Sequence, residues 1–182
     1  QSPSYEIELV EVEGSEVFEM LVSDYEPLCL EREIVLHTFC EVEGVYAVNP
    51  KQLLRVADNL MSNAMKHTKK NGEIILAAVS PQNVPEGIMP FATSLFSKQD
   101  GMYFIVQNSG VGIAAEALAF VFEPLYQTDT ARTKKEDTGT GLGLSITKRM
   151  IEKHGGTVQI ASEKNSGTCV VCWLPTTKRI GE

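Results

Sequence analysis

Asn59, Asn63 and Lys66 stand four and three residues apart, a spacing that puts them on one flank of a helix. Asparagine is a mediocre helix former, so two in mid-helix carry a small local cost. Side-chain amide oxygens suit Mg2+, a hard cation that keeps several waters and shares phosphate oxygens. A lysine beside them suits phosphate. A solvated polar face would carry the same residues, and the helix alone does not separate the two readings. Two glycine clusters lie further along, Asn108-Ser109-Gly110-Val111-Gly112 and Gly139-Thr140-Gly141-Leu142-Gly143. Glycine lets backbone N–H groups approach phosphate, and a helix N-terminus adds a favourable dipole. Neither cluster is a P-loop, which ends in Gly-Lys-Ser/Thr, because Gly143 is followed by Leu144-Ser145. Neither is a dinucleotide fingerprint, because the sixth position counted from Gly139 is Leu144 rather than glycine.

Periodicity gives the elements that must position these groups. Residues 6–12 alternate as a short strand does, and Ser15 is placed to cap a helix over 16–25, with Val17, Phe18, Leu21 and Val22 as its apolar stripe. Residues 34–39 are β-rich. Asn49-Pro50 predicts a helix start: a capping side chain, proline at the first helical position, and Gln52 placed for a capping box. That helix runs to about Thr68, with Leu53, Val56, Ala57, Leu60 and Ala64 facing a core. Residues 73–79 and 102–107 read as strands. Residues 80–101, rich in Pro, Ser and Gly, read as a long loop or insertion. A short apolar helix is expected near 114–121, then a helix over 143–154 ended by Gly155-Gly156, then a hairpin of 157–162 and 168–174. The first glycine cluster thus follows a strand and the second precedes a helix. Residues 127–138 include Arg132, Lys134 and Lys135. They suit a lid that carries positive charge to a bound nucleotide, or an ordinary exposed loop.

A chain of 182 residues, 43% hydrophobic and 22% charged, suits one soluble globular domain over 1–182, with its core at about 15–175. The net charge of −8 argues against a nucleic-acid partner, which calls for a basic face. No run of about 18 apolar residues is present, so no membrane span is expected. The chain opens on Gln1, as expected of a piece of a longer protein whose remainder holds any membrane anchor. Cys169 and Cys172 lie an odd three apart in a strand, on opposite faces. A metal or redox pair is therefore not expected, and the four cysteines read as reduced thiols of a cytosolic protein.

The order of the motifs resembles the ATP-binding domain of two-component sensor histidine kinases, within the gyrase, heat-shock protein, histidine kinase and mismatch-repair ATPase superfamily. Asn59-Leu-Met-Ser-Asn63-Ala-Met-Lys66-His67-Thr68 is similar to that family's asparagine box. Asn108-Ser-Gly110-Val-Gly112-Ile113 resembles the first glycine box, Phe122-Glu-Pro-Leu-Tyr126 the phenylalanine box, and Gly139-Thr-Gly141-Leu-Gly143-Leu144 the second glycine box. Ser166-Gly167-Thr168 before the last strand also fits. The resemblance runs from about Val17 to Pro175.

The resemblance implies an α+β fold: a two-layer α/β sandwich with a mixed, mostly antiparallel sheet against about three helices, and a flexible ATP lid at 127–138. ATP and Mg2+ would be the cofactors. Asn63 would be the main Mg2+ ligand with Asn59 close to metal and phosphates, and Lys66 would contact phosphate. His67 would pack on the adenine, Gly110 and Gly112 would shape that end of the pocket, and Thr168 would lie near the base. Gly139, Gly141 and Gly143 would clamp phosphates through backbone N–H groups. Ile113, Tyr126, Thr140, Leu142 and Leu144 fall in the same boxes and would line the nucleotide. The γ-phosphate would pass to a histidine on a separate dimerisation domain of the same protein, and from there to a response regulator. The whole would be the cytoplasmic, soluble part of a membrane-anchored bacterial receptor, with no membrane contact of its own.

Two positions depart from the pattern. The family's adenine-binding aspartate is replaced by Asn108, whose oxygen can still accept the base's amino proton but without a charge. Gln127 stands where many relatives have arginine, leaving Arg132 to stabilise charge on the γ-phosphate. Asn59 replaces the glutamate of the ATP-hydrolysing branches, and an amide is no general base. His37, His67 and His154 lack the setting of a phosphoacceptor, so the acceptor is expected outside this chain. An active histidine kinase domain, a pseudokinase that docks partners, and a protein-serine kinase of the same superfamily remain open readings.

Overall fold

The computed structural model describes residues 7–123 and 140–177, except for the side chains of 140–143. Two short strands, β1 (Val10–Glu13) and β3 (Val45–Val48), pair antiparallel. The main sheet has five strands in the order β2-β4-β5-β7-β6: β2 (Val35–Glu41), β4 (Glu73–Val79), β5 (Met102–Ser109), β7 (Gly167–Leu174) and β6 (Thr157–Glu163). Only the β2–β4 pair among them is parallel. The parallel pair requires a crossover between β2 and β4, which the chain makes through β3 and the helix α3 (Pro50–Lys66).

Helices cover one face of this sheet, in the expected α+β architecture. Ile74, Leu76 and Ala78 of β4, Phe104 and Val106 of β5, and Val170 and Cys172 of β7 meet Leu53, Val56, Ala57, Leu60 and Ala64 of α3 in one core. The other α-helices among the described residues are α1 (Gly14–Val22), α2 (Tyr25–Glu31), the short α4 (Ala115–Leu118) and α5 (Thr140–Lys153). Burial of apolar side chains on a single stripe makes such helices stable only in contact with the sheet.

Several local expectations are corrected. The first strand is shorter than 6–12, and α1 begins at Gly14 without a Ser15 cap. Strand β3 and helix α2 were not legible: β3 is only four residues long, and α2 carries proline at its third position. The helix expected at 143–154 starts at Thr140, so Thr140–Gly143 form its first turn instead of a preceding loop. At α3 the Asn49 Oδ1 accepts from Gln52 N (3.0 Å) with Pro50 at the first position. The reciprocal half of the capping box is absent, because the Asn49 N–H goes to His154 Nε2 (3.0 Å) instead of Gln52.

The other sheet face is covered too, by the segment read as a loop or insertion. Residues 80–101 carry two 3-10 turns, Pro81–Asn83 and Pro90–Leu95. Ile88, Ala92 and Leu95 are buried there against Ile75, Ala77, Val79, Tyr103, Ile105, Cys169 and Val171. The Trp173 Nε1–H donates to Asp100 O (2.6 Å) and Lys98 Nζ lies 4.3 Å from the indole centre. Cys172 faces the helical core and Cys169 the rear one, with burial pushing both thiols up to about 12.

Candidate nucleotide site

A cavity of about 330 Å³ opens between the C-terminal half of α3, the start of α5 and the ends of β5, β6 and β7. That volume falls in the range of small-molecule sites. Its polar wall is Asn63, Lys66, His67, Asn108 and Thr168, brought from three elements that are far apart in the chain. Gly112, Ile113 and Leu144 join them, with Leu60, Ala64, Val106, Val111, Ile160 and Val170 as apolar lining. The sequence named the polar wall and missed most of the apolar one, because core residues and pocket residues share one periodicity. Asn59 and Gly110 are not part of the wall among the described residues. Tyr126, Arg132, Gly139 and the lid at 127–138 lie outside the described residues, as do the last three residues of the phenylalanine box.

The site has unmet hydrogen-bonding capacity. Asn59 Nδ2, Asn63 Nδ2 and His67 Nε2 are buried without a partner among the described residues. Buried polar atoms without a partner are costly, and two of these residues, Asn63 and His67, line the cavity, which fits a polar ligand. Amide donors suit phosphate oxygens, and a rotated amide turns its oxygen to a cation. Burial, and then the neighbouring Lys66 charge, hold His67 below the usual histidine range, so its ring is neutral at pH 7.

Asn108 is buried on β5, and its Nδ2 donates to Ser109 O (2.9 Å). This leaves Oδ1 as the side chain's acceptor. The Ser109 hydroxyl accepts from Glu73 N (2.9 Å), which ties the strand end to β4.

The first glycine cluster is fastened to the β6–β7 turn. Gly110 N donates to Ser166 O (3.2 Å), Asn165 N to Val111 O (2.6 Å) and Ile113 N to the Ser162 hydroxyl (2.8 Å). Gly112 has φ +76°, and a Cβ there would lie 2.2 Å from Glu163 O. A Cβ on Gly110 would lie 2.5 Å from His67 O. The glycines therefore let the loop lie against the ends of β6 and α3. Ser162 was missed by the sequence reading, although a polar residue on the core side of an alternating strand was the available signal.

The three histidines occupy separate places. His37 is exposed on edge strand β2 and 3.2 Å from Glu73, His67 follows α3 at the cavity, and His154 follows α5 with its ring buried. No described helix is long and apolar enough to cross a membrane.

Residues 48–178 match the family described as histidine kinase-, DNA gyrase B-, and HSP90-like ATPase. The chain is 35% identical over 137 residues to the sensor protein SrrB of Staphylococcus aureus, covering 75% of this chain and 20% of that protein. It is 32% identical over 131 residues to the circadian input-output histidine kinase CikA of Synechococcus elongatus, covering 72% of this chain and 15% of that protein. The chain thus spans a fifth or less of these relatives. In fold it is similar to the catalytic domain of histidine kinase ThkA, with TM-score 0.69 at 22% identity over 95% of this chain and all of that one. It is equally similar to full-length ShkA in complex with AMPPNP, with TM-score 0.69 at 22% identity over 97% of this chain and 33% of that one. With the polar wall, the glycine cradle and the mixed sheet in place, the chain belongs to the histidine kinase-, DNA gyrase B- and HSP90-like ATPase family.

Proposed function

We propose that this domain binds Mg-ATP in the cavity beside α3 and delivers the γ-phosphate to a histidine on a separate dimerisation domain of its own protein, with a response regulator as the next acceptor. The observation that carries the reading is the convergence of Asn63, Lys66, His67, Asn108 and Thr168 on one cavity. Bound Mg2+ would neutralise phosphate charge there. Asn63 would hold the metal through Oδ1, with Asn59 beside it, and their partnerless Nδ2 groups would be left to meet phosphate oxygens. Lys66 would meet phosphate, the neutral His67 ring would lie on the adenine, and Asn108 Oδ1 would accept from the adenine amino group. The backbone of Gly139, Thr140, Gly141, Leu142 and Gly143 would cradle the phosphates at the start of α5, and Arg132 would add charge at the γ-phosphate. Tyr126 would complete the lining.

In the transfer a P–N bond forms to the acceptor imidazole as the P–O bond to departing ADP breaks. Positioning and charge stabilisation are what a protein contributes to such a step. Hydrolysis is disfavoured, because the amide of Asn59 cannot take a proton from water. The domain would work in the cytoplasm as part of a membrane-anchored receptor.

Asn108 favours a second reading, a pseudokinase whose weakened base contact leaves docking as its role. Calorimetric titration of Mg-ATP into the native domain, Asn63→Ala and Asn108→Asp separates them. Micromolar to low-millimolar binding that Asn63→Ala abolishes supports the kinase. No native binding, with recovery in Asn108→Asp, supports the pseudokinase. Autophosphorylation of the full-length protein that is lost in acid marks phosphohistidine, whereas acid-stable label would point to a serine kinase.

A further inference from the structure

Leu36, Ile74, Asn108, Thr168 and Ser162 stand side by side across the five strands, each the register partner of the next. The row ends at Ser162 on β6, whose hydroxyl meets three groups. Ile113 N lies 2.8 Å away, Gly167 O 2.7 Å and Thr168 Oγ1 2.8 Å. A hydroxyl has one proton and two lone pairs, so the directions of these bonds can be assigned. Ile113 N–H can only donate, and takes one lone pair. Gly167 O can only accept, and takes the proton. The Thr168 hydroxyl must then donate to the remaining lone pair.

Two consequences reach the cavity. Ile113, which lines it, is held in place through its backbone N–H. Thr168, which also lines it, has its proton committed to Ser162 and shows the cavity only lone pairs. Its register partner Asn108 also lines the cavity; one Nδ2 proton goes to Ser109 O, and Oδ1 remains an acceptor. Two neighbouring side chains are thereby acceptors together.

We propose that Ser162 is a positioning residue for the nucleotide base, fixing the Thr168 hydroxyl as an acceptor so that this end of the cavity takes a 6-aminopurine and rejects a 6-oxopurine. This rests on the nucleotide reading given above. An exocyclic amine brings protons to two oxygens, whereas a 6-oxo group would face them with a third. Leaving buried acceptors without donors is what gives such sites their selectivity.

The test is calorimetry of Mg-ATP, Mg-ITP and Mg-tripolyphosphate with the native domain, Ser162→Ala, Ser162→Thr and Thr168→Val, together with amide hydrogen exchange at Ile113. Ser162→Ala is expected to weaken Mg-ATP by about 5- to 10-fold, to narrow the preference for ATP over ITP, and to leave tripolyphosphate unchanged. Its Ile113 amide should exchange faster, and Ser162→Thr should restore native behaviour. Thr168→Val keeps the shape without the hydroxyl and should narrow the same preference, which decides the matter if Ser162→Ala folds poorly. Equal weakening of ATP and tripolyphosphate, or an unchanged ATP-to-ITP ratio in Ser162→Ala and Thr168→Val, overturns the positioning role while leaving the nucleotide reading intact. A native domain that binds none of the three overturns both.

Discussion

The backbone N–H of Asn49, just before α3, donates to Nε2 of His154, just after α5, across 105 positions of sequence and 3.0 Å of space. The other ring nitrogen, Nδ1, lies 2.8 Å from Met150 O and donates to it. One neutral imidazole therefore joins the start of the helix bearing the asparagine box to the end of the helix bearing the second glycine box. Protonating Nε2 removes the acceptor from Asn49.

This gives a pH prediction. Burial lowers the His154 pKa below the usual histidine value, against the smaller opposing effect of the Met150 carbonyl. The unfolded chain, near 6.5, then binds the proton more readily than the native state. The stabilisation is present above about pH 6.5 and is lost as pH falls through the folded value. His67 is shifted the same way and adds to the slope. Thermal melting should drop as pH is lowered below 6.5, and His154→Ala should shallow the drop. At neutral pH the variant should cost about 1–3 kcal/mol, read from denaturant midpoints.

Asn108→Asp separates affinity from stability. The substitution puts a charged acceptor at the base position, so Mg-ATP should bind about 5- to 30-fold tighter. It also puts a carboxylate oxygen where Nδ2 now bonds Ser109 O at 2.9 Å. The ligand-free domain should therefore lose about 1–2 kcal/mol. Calorimetry and ligand-free melting measure the two effects independently, and a variant gaining both affinity and stability contradicts the assignment of that bond.

Gly112→Ala and Gly155→Ala test close approach against backbone strain. Both glycines have positive φ, +76° and +81°. A Cβ at 155 meets only Pro175 Cγ at 3.6 Å, whereas one at 112 would sit 2.2 Å from Glu163 O. Gly155→Ala should cost about 1 kcal/mol. Gly112→Ala should cost about 2–3 kcal/mol and weaken Mg-ATP, since the loop must leave the β6–β7 turn. Equal costs at the two positions would show that contact plays no part.

Leu95→Ala tests whether the rear layer belongs to the fold. Leu95 is 8% exposed and packs in the cluster behind the sheet. Truncation should cost about 2–4 kcal/mol in urea unfolding. Mg-ATP affinity should stay unchanged, because the nucleotide cavity lies on the opposite face.

The sequence by itself determined much of this protein. The Asn49-Pro50 start and the apolar stripe of α3 are local signals, since capping and helical period depend on near neighbours. Strand β4 was legible to the residue, and the two faces of Cys169 and Cys172 followed from a period of two. The polar wall was legible because Asn63, Lys66, Asn108 and Thr168 lie in recognisable motifs. Tertiary structure decided what depends on distant chain. It gave the backbone N–H of Asn49 to His154 instead of the Gln52 side chain, turned residues 80–101 into a rear layer, and set Ser162 beside Thr168 and Ile113. The physical reason is common to all three. A hydrogen-bonding group or an apolar side chain states what it needs locally, but which partner meets that need is set by strand register and packing.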